Sequence, residues 1–154
     1  MPKWVFHHTV GAFTNNDKKL IAHGMTKIYT SVGLPAFYCH AHFIELQPDS
    51  IYAGGETPQA LTTLSIYHIA RGFADKNAEL GFMKALDDIL RPILKTRSIE
   101  WESAIYEANR DLWRINGLVP PATGSELEKK WFEANKVTDE EELLVKQLAS
   151  AQEH

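Results

Sequence analysis

Hydrophobic positions fall into two successive sets of the same design. Trp4 to Val10 is aromatic and β-branched enough to predict a strand. Thr14, with Asp17 three residues on, predicts a capped helix start. The helix carries Ile21, Met25, Ile28 and Val32 at spacings of 4, 3 and 4, a single apolar stripe that Gly33-Leu-Pro35 brings to an end. Phe37 to Leu46 reads as a second strand, apolar throughout and so expected to have neither face in water. Gln47 to Ser50 makes a turn, Ile51 to Gly55 a short hairpin arm, and Glu56-Thr-Pro-Gln59 the best linker.

From about Thr63 the pattern starts again. Leu64 to Ala70 predicts a strand, Asp75 a helix cap, and Phe82, Leu86, Ile89 and Ile93 a stripe lying 61 residues beyond the first at all four positions. The same offset carries the second strand onto Ser98 to Glu107, the Tyr52 arm onto Trp113 to Asn116, and Pro2 onto Thr63. Residue identity between the halves is negligible, so the repeat is one of pattern.

Two tandem β-α-β units follow, each pairing parallel strands through a crossover helix. The predicted fold class is α+β, an α/β sandwich: a four-stranded sheet with two helices on one face. One domain, 1–154, divides into a first unit at 2–60, a second at 61–122 and a C-terminal helical extension at 123–154. Pro92 is predicted to kink the second helix. The other sheet face is expected to be apolar and uncovered, which calls for a partner chain. In the tail, Ser125 with Glu128 and Thr138 with Glu141 have capping-box spacing. Their charges are expected on solvated faces, giving the tail a packing role.

Composition narrows the function. With 154 residues, 44% hydrophobic, 23% charged and a net charge of -4, the chain carries no electrostatic footprint for nucleic acid or an anionic membrane. No stretch is apolar enough to span a bilayer, the start lacks a signal-peptide core, and Ala-Gln-Glu-His154 is no familiar address, so a cytoplasmic location is expected. Cys39 is the single cysteine, which excludes an internal disulfide and a cysteine-based metal site and reads as a buried thiol.

Few residues offer chemistry. Pro2 follows the initiator directly, and removal of Met1 leaves a secondary amine that a strand would hold still; the alternative is a proline of no function. Arg71 closes the third strand before a helix, a position suited to binding a carboxylate bidentately, or else to pairing with Asp75. His40-Ala-His42 with Glu45 resembles the cupin metal site, but the glutamate is too near and the helical stripes argue against a jelly roll, so no metal is expected. His7 and His8 face opposite ways along the first strand, and His8 is expected to be structural.

An N-terminal proline, tandem β-α-β units and an arginine opening the second helix together resemble the tautomerase superfamily (a tautomerase/MIF-like fold). Within it the chain is most similar to the long-chain cis-3-chloroacrylic acid dehalogenase group (cis-CaaD-like), and closer still to fungal proteins described as oxalocrotonate tautomerases. The stretches that carry this are Ile28-Tyr-Thr-Ser-Val-Gly-Leu-Pro35, FIELQPDSIYAGGE from Phe43, His68-Ile-Ala-Arg71 and LWRINGLVPP from Leu112 to Pro121.

The resemblance implies a homotrimer with sites near subunit contacts, Pro2 as catalytic general base, Arg71 as anchor for a substrate carboxylate, and no cofactor. Departures from the dehalogenase pattern are as informative. The first-helix histidine becomes Tyr29, a second arginine becomes Ala74, a strand tyrosine becomes Ser103, and the water-activating glutamate falls on Arg114. Hydrolytic dehalogenation is therefore not expected as the main activity. Arg114 is expected to replace the missing cation in binding substrate, Trp113 to wall the pocket or pack on a subunit neighbour, and Tyr29 to donate to a substrate oxygen or belong to the core. The function expected is a tautomerase, an isomerase interconverting enol and keto forms of a small carboxylate-bearing substrate. The alternatives are decarboxylation or hydration in the same pocket, or a non-catalytic oligomeric homologue.

Overall fold

The computed structural model describes residues 1–151; the end of the chain, 152–154, where no targeting address was read, lies outside the described residues. Strands β1 (Pro2–Thr9), β2 (His40–Leu46), β3 (Leu61–His68) and β4 (Glu100–Glu107) form one sheet in the order β2-β1-β3-β4. β1 runs parallel to β2 and β3 parallel to β4, while β1 and β3 meet antiparallel at the centre. Helices α1 (Asn15–Thr30) and α2 (Lys76–Thr96) are the crossovers, so the two β-α-β units stand as the repeat predicts. Two further helices, α3 (Glu126–Ala134) and α4 (Glu140–Ala151), make up the tail.

Local chemistry explains the helix starts. Thr14 and Asp17 form the full capping box, and the Asp17 carboxylate also takes the Arg97 guanidinium at 2.7 Å, tying the start of α1 to the end of α2. Asp75 caps α2 by accepting from Ala78 N, and α2 continues without interruption through Pro92 to Thr96. The two hairpin arms close at Gly54-Gly55 and Asn116-Gly117, all four residues at positive φ, as a tight two-residue hairpin requires.

The core lies between the sheet and the helices. Trp4, Phe6, Leu64 and Ile66 face Ile21, Met25 and Tyr29 of α1 and Phe82, Leu86, Leu90 and Leu94 of α2. This stripe differs from the predicted one: Val32 is exposed, and Ile28, Ile89 and Ile93 are only partly buried. The buried side chains recur every four residues in both helices, and the offset of 61 survives in the pairs Ile21/Phe82, Met25/Leu86 and Tyr29/Leu90. On the strands the offset is 60, because a strand alternates faces and only an even offset keeps Trp4/Leu64, Phe6/Ile66 and His8/His68 on the helix side. Thr62, not Thr63, is thus the counterpart of Pro2.

The open face of the sheet is not the uniform apolar surface expected. It carries Lys3, Val5 and His7, the exposed His40, His42 and Ile44, then Thr63, Ser65 and Tyr67, and at the β4 edge Glu100, Glu102 and Tyr106. β2 therefore does have a face in water in the single chain. The first residues assigned to it, Phe37 and Tyr38, instead belong to a separate 3-10 turn, Ala36–Tyr38. Alternation also separates the imidazoles from Glu45, whose carboxylate accepts from Gly11 N at 3.0 Å.

The tail departs further from expectation. Ser125 caps α3 by accepting from Glu128 N, yet the Glu128 side chain is buried rather than solvated. No cap forms at Thr138: its hydroxyl donates to Asp139, which immediately precedes α4 at positive φ.

Candidate active site

Pro2 opens β1 beside His68, the last residue of β3, and both line a pocket of about 380 Å³ at this end of the sheet. Antiparallel pairing forces this meeting of a strand start with a strand end. The C-terminal part of α1 supplies Ile28 and Tyr29, the segment after it Leu34, α2 supplies Phe82, and the segment after β3 supplies Ile69, Arg71 and Phe73. Apolar walls with a few polar groups are the usual constitution of a small-ligand site.

The polar groups are closely bound to one another. Trp4 Nε1 donates to the Tyr29 hydroxyl at 2.9 Å, and the same oxygen lies 2.8 Å from His68 Nε2. An indole nitrogen only donates, which leaves the hydroxyl two arrangements. Either it donates to His68, or it accepts from a protonated Nε2 and its own hydrogen is free for the pocket. Burial drives the His68 imidazole down to about 4, against the pull of Glu107 and with help from the nearby chain amine. Burial likewise pushes the Tyr29 phenol above its usual range. Both are neutral at pH 7.

The amino terminus is in the same desolvated place. With Met1 present, its amine is held at about 4, chiefly by burial, with Cys39 opposing and Arg110 adding to the fall. The Cys39 thiol is pushed up to about 11 by burial, so it stays protonated.

His68 makes folding depend on pH. The unfolded chain takes up a proton near 6.5 that the folded chain refuses until about 4, so this contribution is complete above 6.5 and is lost as the pH falls through that window. Its size is about 3 kcal/mol. Urea midpoints measured between pH 7 and 4 should fall more steeply for the wild type than for His68→Asn; parallel curves would refute the assignment.

Of the predicted site residues, Pro2, Tyr29 and Arg71 come together around this pocket, and Tyr29 is both pocket wall and core. Arg114 and Trp113 do not join them. The Arg114 guanidinium donates to the carbonyls of Asp111 and Trp113, both at 2.7 Å, and stands in a groove against α4. Trp113 is buried within its own chain, edge-on to Tyr38 at 5.0 Å. Arg71 does not pair with Asp75 either: its guanidinium binds Glu128 at 2.9 Å.

Two residues the sequence reading did not assign to the site are His68 and Glu128. The signals for His68 were its place at a strand end near Arg71 and its presence in one of the stretches that carry the family resemblance. The repeat shows why this end differs from its counterpart. His8 is the equivalent of His68, but the position equivalent to Tyr29 is Leu90, and the wholly buried His8 Nε2 has no partner among the described residues. The second unit lacks both the hydroxyl and the terminal amine.

Comparison with known proteins bears on the family and the fold. The family model described as "Putative oxalocrotonate tautomerase enzyme" matches residues 1–136. A probable enzyme from the fungus Aspergillus fumigatus is 41% identical, covering 90% of this chain and 96% of its own, with a TM-score of 0.86. RhCC from Rhodococcus jostii RHA1 is 33% identical over 88% of this chain and 98% of its own, with a TM-score of 0.84. At the level of fold alone, N1, a member of the cis-3-chloroacrylic acid dehalogenase family, is 14% identical over 86% of this chain and 97% of its own, at 0.64. A search of curated protein sequences returned no match. With its family model spanning most of the chain and the tautomerase fold in place, the protein belongs, within the tautomerase superfamily, to the family described as "Putative oxalocrotonate tautomerase enzyme".

Proposed function

We propose that the chain is a proline-dependent tautomerase that interconverts enol and keto forms of a small carboxylate-bearing substrate, with Pro2 as general base. The observation that carries this reading is Pro2 itself, at the start of a central strand and on the wall of an apolar pocket. Once Met1 is removed, the nitrogen is a secondary amine in surroundings where charge is disfavoured, which brings its pKa down toward neutrality. A base poised near the working pH is the most effective.

The neutral amine takes the proton of the enol hydroxyl. As the carbon–carbon double bond shifts to the carbonyl, a proton is delivered to carbon, so none is gained or lost overall. Arg71 anchors the substrate carboxylate at one wall, and Tyr29 meets the enol oxygen when its hydroxyl hydrogen turns to the pocket. The open sheet face leaves Ile44 and Tyr106 exposed among charged residues, a surface that assembly with further copies would bury. A cytoplasmic homotrimer, with the site near subunit contacts, is the form proposed. No helix among the described residues is long and apolar enough to cross a membrane.

The test is ultraviolet-monitored ketonisation of 2-hydroxymuconate and phenylenolpyruvate, on protein whose intact mass shows Met1 removed. Turnover above the solvent rate is expected on at least one of them. Its absence on both would sink this reading.

A further inference from the structure

Arg71 is already occupied by a carboxylate of its own chain. Its Nη2 donates to Glu128 Oε2 at 2.9 Å, its Nη1 donates to the Val32 carbonyl, and its buried Nε has no acceptor among the described residues. The Glu128 side chain is not a loose surface partner. Glu128 is 5% exposed, and the same Oε2 accepts from Gly124 N at 2.7 Å. Helix α3 holds it there: Ser125 caps the helix, Trp131 is wholly buried beside Phe37 and Tyr38, and Asn135 Oδ1 accepts from Phe37 N at 2.8 Å.

We propose that Glu128 is a specificity-determining residue, an internal carboxylate that competes with the substrate's carboxylate for Arg71. The proposal rests on Arg71 being the substrate anchor in the function given above. A guanidinium with a carboxylate bound to it carries little net charge. A second carboxylate arriving at Arg71 either lies beside Glu128 and is repelled, or displaces it and breaks two charge-assisted hydrogen bonds. An uncharged ligand of the same shape suffers neither cost. Glu128 therefore lowers the preference of the pocket for acids over neutral analogues, and α3 sets how firmly it does so.

The experiment uses ligands that cannot react, so its outcome does not depend on turnover. Binding of 3-phenylpropanoate and of 3-phenylpropanamide is measured by calorimetry for the wild type and for Glu128→Gln. Glutamine keeps an acceptor for Gly124 N and for Arg71 but removes the charge. The variant is expected to bind the acid about tenfold more tightly and the amide within about twofold of the wild type. Unchanged or weaker acid binding would overturn the proposal, as would equal tightening of both ligands or no acid binding by either protein. Should Glu128→Gln fail to fold, Glu128→Asp keeps the charge but withdraws it by one methylene. Its acid affinity is expected to move in the same direction, and an unmoved value overturns the proposal equally.

Discussion

Pro2→Ala protein, freed of Met1, is expected to lose at least about a hundredfold in kcat/KM on enol substrates while keeping its fold. Alanine still offers an amine, but a primary one on a backbone no longer constrained by a ring, so the lone pair is not held toward the reacting carbon. Misplaced bases are costly because proton transfer depends on a bound near-attack geometry. The fold has little to lose. Pro2 is the first residue of β1, where a missing N–H is tolerated, and the pairing with β2 starts only at Lys3. Thermal midpoints of variant and wild type should agree closely. Protein that retains Met1 should be as inactive as the variant, since Pro2 nitrogen is then an amide with no basic lone pair. Comparable turnover in Pro2→Ala and wild type would assign the chemistry to another group.

Trp131→Ala is expected to cost about 3–5 kcal/mol in the docking of α3, the usual range for truncating a buried tryptophan. Trp131 is wholly buried, and it is the largest side chain that α3 contributes to the core. Trp131→Phe should cost much less, because the indole N–H has no partner to lose and the ring keeps most of its contacts. Hydrogen exchange gives the measurement: protection of the α3 amides should collapse in Trp131→Ala, while that of the central strands β1 and β3 stays. The two effects are linked through Glu128. A loosened α3 no longer presents its carboxylate to Arg71, so Trp131→Ala should tighten acid binding much as Glu128→Gln does. Full retention of α3 protection would show that the helix is held by other contacts.

The sequence by itself determined the elements and their repetition. Capping residues and apolar periodicity are local properties, so the start of α1 at Thr14, the Asp75 cap and the paired β-α-β units followed without knowledge of the fold. Pro2 stood out in the sequence as a candidate, and its place on the pocket wall came from the pairing of β1 with β3. What periodicity left open was which of two neighbouring faces of α1 is buried. Ile21, Met25 and Tyr29 share one helical face, and Ile28 with Val32 lies on its edge. The position of the sheet chose the first. Strand alternation likewise made Thr62, not Thr63, the counterpart of Pro2 in the repeat.

The site's polar partners were decided only in three dimensions. Tyr29 and His68 are 39 residues apart, and Arg71 and Glu128 are 57 apart. Glu128 reads in sequence as half of a capping box, and Arg114 as a cation for binding substrate. The fold instead turned Glu128 onto Arg71 and folded Arg114 back on its own backbone carbonyls. The reason is physical: charged and hydrogen-bonding groups select partners by distance and desolvation, which packing sets across the chain, whereas helix and strand formation responds to the residues a few positions away.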